Sequence, residues 1–375
     1  MTLKQTLLRL PLLAAVALSL LTGILAGLGR LGIALPAITP GAVVNHGPLM
    51  IGGVLGTLIC LERAVALSAY GGRRQTAAYG VPLLAGVGGL LLALGSLDLL
   101  PKALIAAASA GLVFLFYLLV RRHLAPFTVV MALGAVCWLV GNLLWLAGYP
   151  VYQLVHWWVA FLVLTVVGER LELSRILRLT PLSQRLFLLA VGVYLAGVCL
   201  TVVQLDTGVR IAGLGSLGLA AWLLHYDIAR RTVRRPGLPR FIAVCLLAGY
   251  AWLGAGGVFS ILFGGVRAGV QYEALLHALL LGFIFSMIFG HALIIIPAIT
   301  GRAVSFHRVL YVPLLLLHGS LVIRVAGALG GAYGLRRDGG VFNVIAILVF
   351  IAMIVAGVLL SRVSRPVMVK EGASP

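Results

Sequence analysis

Five of the eight histidines in this chain lie inside long apolar stretches. A polar ring there is costly, so each one is a hypothesis about function. His46, His156 and His277 each open such a stretch. His291 sits midway along the stretch that His277 opens, and His318 midway along the next. Imidazole is the common axial ligand of haem iron and a good ligand for copper. Two imidazoles on facing helices at one depth are what bis-histidine ligation requires. Taken singly, each histidine also reads as a hydrogen bond to a neighbouring helix. His123, His225 (beside Asp227) and His307 fall at stretch ends or in links and read as interfacial residues.

The elements that must position these rings follow from composition. The chain has 375 residues, 62% hydrophobic and 10% charged, against roughly a quarter charged in soluble domains. The bilayer must be its solvent. About twelve runs reach the roughly 20 apolar residues a spanning helix needs. They centre near Leu20, Leu55, Leu90, Val113, Trp138, Leu162, Val193, Leu217, Leu253, Phe285, Leu316 and Phe350. All are expected to be helices, because an open sheet leaves its backbone unsatisfied in lipid. The first run continues past Gly23 and Gly27, whose spacing allows close helix contact, and reads as a retained helix. The expectation is one all-α transmembrane domain over 1–375.

A net charge of +19 would suggest nucleic acid in a soluble protein. Here the cations cluster between apolar runs, as at Arg73-Arg74, Arg121-Arg122 and Arg230 to Arg240, with no basic face carrying interleaved aromatics. They read as an orientation signal with lipid headgroups as counterions, and nucleic acid is excluded. With the N-terminus in the cytoplasm, these clusters and Arg362, Arg365 and Lys370 fall inside. Arg30, Lys102, Arg210, Arg267, Arg324, Arg336 and Arg337 fall outside. The bias is about three to one, which places both termini in the cytoplasm and the protein in the inner membrane. The four cysteines, Cys60, Cys137, Cys199 and Cys245, lie in apolar runs without a CxxC pair. They read as small buried hydrophobes.

In this orientation His46, His156 and His277 open helices two, six and ten, all running inward, so they share a depth near the outer leaflet. Glu62-Arg63 and Glu169-Arg170 follow the first two histidines by sixteen and thirteen residues. At about 1.5 Å per residue the pairs lie roughly 20–24 Å deeper. This suggests an incomplete four-helix repeat over about 1–125, 126–235 and 236–375. The carboxylates Glu62 and Glu169 read either as helix-end ion pairs or as proton-handling groups. Arg324 reads as a partner for haem propionates or as a cation reaching outward. Trp157 and Trp158 fit an interfacial belt.

Twelve helices with histidines at the outer ends of two, six and ten resemble the catalytic subunit of haem-copper oxidases, a pseudo-threefold arrangement of four-helix arcs. Asn45-His46-Gly47-Pro48-Leu49-Met50 is similar to its helix-two haem-ligand region. The chain also resembles the NnrS family, haem- and copper-containing membrane proteins linked to the nitric oxide response. Leu276-His277-Ala278-Leu279-Leu280-Leu281-Gly282 and the closing Thr300-Gly301-Arg302 are similar to that family's late helix. The chain departs from the oxidase pattern in lacking a His-x-His at His277 and any histidine in helix seven. The resemblance implies haem b held by His46 and His277, with Arg324 beside it, and copper at His156, His291 or His318. It implies binding or processing of nitric oxide or a related diatomic gas, or electron transfer with a redox partner. The competing expectation is a proton-coupled secondary transporter without cofactor, because twelve helices and internal repeats suit that class as well.

Overall fold

The computed structural model describes residues 3–35, 38–68, 75–177 and 179–360. Arg73, Arg74, Arg362, Arg365 and Lys370, which enter the orientation argument, lie outside them. The fold is 86% helix, with no strand among the described residues. In chain order the long helices are α1 (Leu3–Arg30), α2 (His46–Ser68), α3 (Gly80–Ala93), α4 (Leu99–Arg122), α5 (Pro126–Leu146) and α6 (Val151–Ser174). There follow α7 (Pro181–Leu200), α8 (Leu205–Tyr226), α9 (Leu238–Phe263), α10 (Gly269–Thr300), α11 (Tyr311–Leu329) and α12 (Tyr333–Leu360).

Each expected run is helical, but among the described residues 11 helices are long and apolar enough to cross a membrane, not twelve. The exception is α3. Its 14 residues rise about 21 Å, short of a hydrocarbon core about 30 Å thick. Hydrophobicity along the chain cannot register this difference, because the run around Leu90 is as apolar as its neighbours. The protein is a multi-pass helical membrane protein.

Lipid supplies no hydrophobic drive between helices, so small residues and hydrogen bonds hold them together. Gly53 of α2 and Gly89 of α3 touch through their backbones; a Cβ at Gly89 would come within 2.6 Å of Gly53 Cα. Gly27 of α1 makes room for the His46 ring, since a Cβ there would lie 2.9 Å from Cε1. The Gly23/Gly27 spacing therefore serves the α1–α2 contact. Side-chain hydrogen bonds tie sequential helices: Trp158 Nε1 donates to Asn142 Oδ1 at 3.0 Å, Trp222 Nε1 to the Ser183 carbonyl at 2.8 Å and Asn343 Nδ2 to Ser320 Oγ at 2.6 Å. Trp157 and Trp158 are buried, so they belong to the packing and not to an interfacial belt. Cys60, Cys137 and Cys245 are buried as expected, whereas Cys199 is exposed on the surface of α7.

The circuit of helices closes where α1 meets α12. Arg9 in α1 donates to the Ile299 carbonyl at the end of α10 at 3.1 Å. Arg302 reaches the Val358 carbonyl near the end of α12 at 3.5 Å. The start of α1 and the ends of α10 and α12 therefore share one end of the bundle. That end also carries Arg121-Arg122 and the arginines from Arg230 to Arg240; the starts of α2, α6 and α10 lie at the other.

Two helices depart from α geometry. A short helix, Pro40–Val44, is capped by Thr39, which accepts from Ala42 N at 3.2 Å. Asn45 then anchors the start of α2 by donating to the Ser96 carbonyl at 2.9 Å. After His46–Pro48 the chain is π-helical over Leu49–Gly56. In α10 the same happens over Ala278–Ile284, directly after His277. Wide turns of this kind are rare and concentrate at functional sites.

Candidate functional site

His46 and His277 line one cavity of about 480 Å³, within the ~300–1,000 Å³ usual for bound small molecules and cofactors. The cavity lies between α1, α2, α6, α10, α11 and α12. The His46 Nδ1 is 2.7 Å from the Gly23 carbonyl, and the His277 Nδ1 is 2.8 Å from the Glu273 carbonyl, one turn earlier in α10. A carbonyl can only accept, so each Nδ1 carries the proton. Each Nε2 then holds a lone pair, the form in which neutral imidazole binds a metal.

The polarity of the cavity is graded. Its deeper wall is apolar, with Ile51, Leu55, Leu280, Phe285 and Ile347. Four arginines, Arg30, Arg267, Arg324 and Arg336, line it against the single carboxylate of Glu273. Glu273 grips two of them. Its Oε1 lies 2.8 Å from Arg324 Nη2 and its Oε2 lies 2.6 Å from Arg336 Nη2. The remaining positive charge suits an anionic ligand group. Arg324 is 9% exposed; it is ion-paired within the bundle instead of reaching outward. A flat apolar ring bearing carboxylates would meet hydrocarbon, two neutral imidazoles and guanidinium groups here.

The other expected ligands lie elsewhere. His156 is not on the cavity wall, although Val151, Tyr152 and Val155 of the same helix are. Its Nε2 is buried without a hydrogen-bond partner among the described residues. His291 and His318 are each fully engaged. His291 Nδ1 donates to the Met287 carbonyl at 2.7 Å, and its Nε2 is 3.3 Å from Arg170 Nη1. His318 Nδ1 accepts from Trp252 Nε1 at 3.0 Å, so its Nε2–H donates to Ser286 Oγ at 3.1 Å. The two rings serve different helices and present no free lone pair to a shared metal. Among the described residues no three His, Cys, Asp or Glu side chains converge as a metal site.

At the opposite end the two Glu-Arg pairs are cross-linked, which their spacing did not reveal. Arg63 pairs with Glu169 across α2 and α6 and with its own neighbour Glu62 at 3.4 Å. Arg170 instead pairs with Asp227 at 3.0 Å, both nearly inaccessible. Neither Asp227 nor Glu273 was singled out from sequence as part of a site. The available signal was the four-residue step from Glu273 to His277, which puts both on one helix face.

The family model described as "Domain of unknown function (DUF8744)" matches residues 9–359, and the chain belongs to that family. No curated protein matches it.

Proposed function

We propose that this family member is a haem-b-binding membrane protein, similar to the NnrS proteins, that binds or processes a diatomic gas such as nitric oxide or passes electrons. The observation that carries the reading is the pair His46 and His277, which line one cavity and each tie Nδ1–H to a carbonyl, leaving the lone pair on Nε2. These two imidazoles would hold the iron. Arg324 and Arg336, held by Glu273, would stand beside the propionates with Arg30 and Arg267. Haem, when bound, supplies reversible one-electron or gas-ligand chemistry at iron. The chain's own part is to fix the imidazole tautomers, surround the ring with hydrocarbon and offset its carboxylate charge. In the proposed orientation both termini are cytoplasmic and the cavity faces the outer leaflet of the inner membrane. The pseudo-threefold arrangement belongs to the same proposal. It is supported at α2 and α10 by the matched histidine and π-helical segment, and not at α6.

The test is haem stoichiometry. Purified wild type should carry haem b in a fixed ratio to protein by pyridine haemochrome assay. His46→Ala and His277→Ala should each lose most of it while remaining monodisperse. Haem content unchanged in both variants would overturn the ligand assignment.

A second reading is favoured by the belt Glu62, Arg63, Glu169, Arg170 and Asp227, buried or half-buried inside the helices. In a cofactor-free, proton-coupled transporter, Glu62 and Glu169 would take up the proton and the cationic cavity would hold an organic anion. Proton-coupled uptake into proteoliposomes by colourless protein would select this reading.

A further inference from the structure

The arginine-rich end of the bundle holds a second recess, of about 520 Å³. It is built where α6 hands over to α7 and where α8 ends. Three arginines, Arg230, Arg231 and Arg234, line it together with His225. Among the described residues no carboxylate pairs with any of these three arginines. The one acidic side chain on the wall, Asp227, is already committed. Its Oδ2 takes the Arg170 Nε–H at 3.0 Å, and its Oδ1 takes the backbone N–H of Ala229 at 2.7 Å. Arg230 is steadied by donating to the His225 carbonyl at 2.8 Å.

Orientation in the membrane asks for cations at this end, and Arg121 and Arg185 serve that need equally. It does not ask for three unneutralised guanidinium groups around a concave space. A guanidinium fork is the side chain best suited to bind phosphate oxygens. The flanks are apolar: Leu177 and Leu179 form part of the wall, and Ile176 and Leu224 are exposed nearby. We infer that this recess binds a phosphate group, carried by an anionic lipid headgroup or free in solution. The inference stands apart from the haem reading, since it uses neither histidine of the first cavity. Occupancy would be felt in the interior, because Asp227 on its wall holds Arg170, which in turn reaches His291.

The test compares full-length wild type, Arg231→Gln/Arg234→Gln, and the charge-matched control Arg121→Gln/Arg185→Gln. The first double variant spares Arg230, which braces the His225 turn. Two measurements separate the sources of phosphate. One is the rise of the unfolding midpoint with inorganic phosphate in detergent. The other is retention of phosphatidylglycerol over phosphatidylcholine in native mass spectra of protein released from mixed nanodiscs. Wild type and control should respond to one of the two, and the recess variant should need roughly thirtyfold more of the same probe. A response to inorganic phosphate identifies free phosphate; selective retention of phosphatidylglycerol without it identifies the headgroup. If the double variant aggregates, Arg234→Gln alone should show a shift of about fivefold. Equal behaviour of all three proteins, or no response in wild type to either probe, would overturn the inference.

Discussion

A hydrogen bond from Nδ1 to a backbone carbonyl does two things to an imidazole. It fixes the ring's orientation, and it makes Nε2 the basic nitrogen. His46 and His277 both have this bond, and both line the same cavity. His318 has the opposite arrangement: its Nδ1 accepts from Trp252 and its Nε2 donates to Ser286. Five in-span histidines were legible in the sequence, but not which of them present a lone pair. That depends on carbonyls and side chains brought from other helices. The same holds for Glu273, whose partners Arg324 and Arg336 lie 51 and 63 residues away. Replacing Glu273 by Gln leaves two arginines facing each other without their shared counter-ion. Breaking a buried pair from one side costs about 3–5 kcal/mol, so the unfolding midpoint of the Gln variant should drop by several degrees in a detergent melt. An unchanged midpoint would mean that solvent already screens the triad.

Between helices, packing is decided by a few small residues. Gly27 faces the His46 ring and Gly53 faces Gly89, contacts that any Cβ would disturb. Gly27→Val should push the His46 ring from its place and lower haem content without loss of the fold. Gly89→Val should instead force α2 and α3 apart, costing about 1–3 kcal/mol as overpacking does, read as a lower melting midpoint. Haem loss in the second variant but not the first would contradict this division of roles. Helical identity was legible from hydrophobic runs, and a site of close helix contact on α1 from the Gly23/Gly27 spacing, but not that α2 is the partner. The short length of α3 and the π-helical segments of α2 and α10 were not. They depend on where turns start and on hydrogen-bond register, which composition does not encode.

At the scale of the whole molecule, two polar ends are separated by an apolar bundle. One end holds the histidine cavity and four arginines; the other holds the interlocked Glu-Arg-Asp belt and the phosphate recess. The number of runs and the charge bias were readable along the chain, and they carry the proposal for which end faces the cytoplasm. The assembly of a cavity from six helices was not readable, because its lining residues are scattered from Ile24 to Ile347. The orientation makes a direct prediction. In intact cells a membrane-impermeant maleimide should label Tyr149→Cys, in the α5–α6 link, and spare His123→Cys, in the α4–α5 link. The reverse labelling would invert the topology and put the histidine cavity on the cytoplasmic side.

The proposed occupant of the cavity between α2 and α10 is haem. The most direct measurement is the dithionite-reduced minus oxidised absorption spectrum of wild-type protein, purified in detergent after expression with ample haem precursor. The spectrum should show the bands of a bound b-type haem, present in constant proportion to the protein peak on size exclusion. A colourless, monodisperse and folded protein would contradict this and leave the arginine-lined cavity to a transporter.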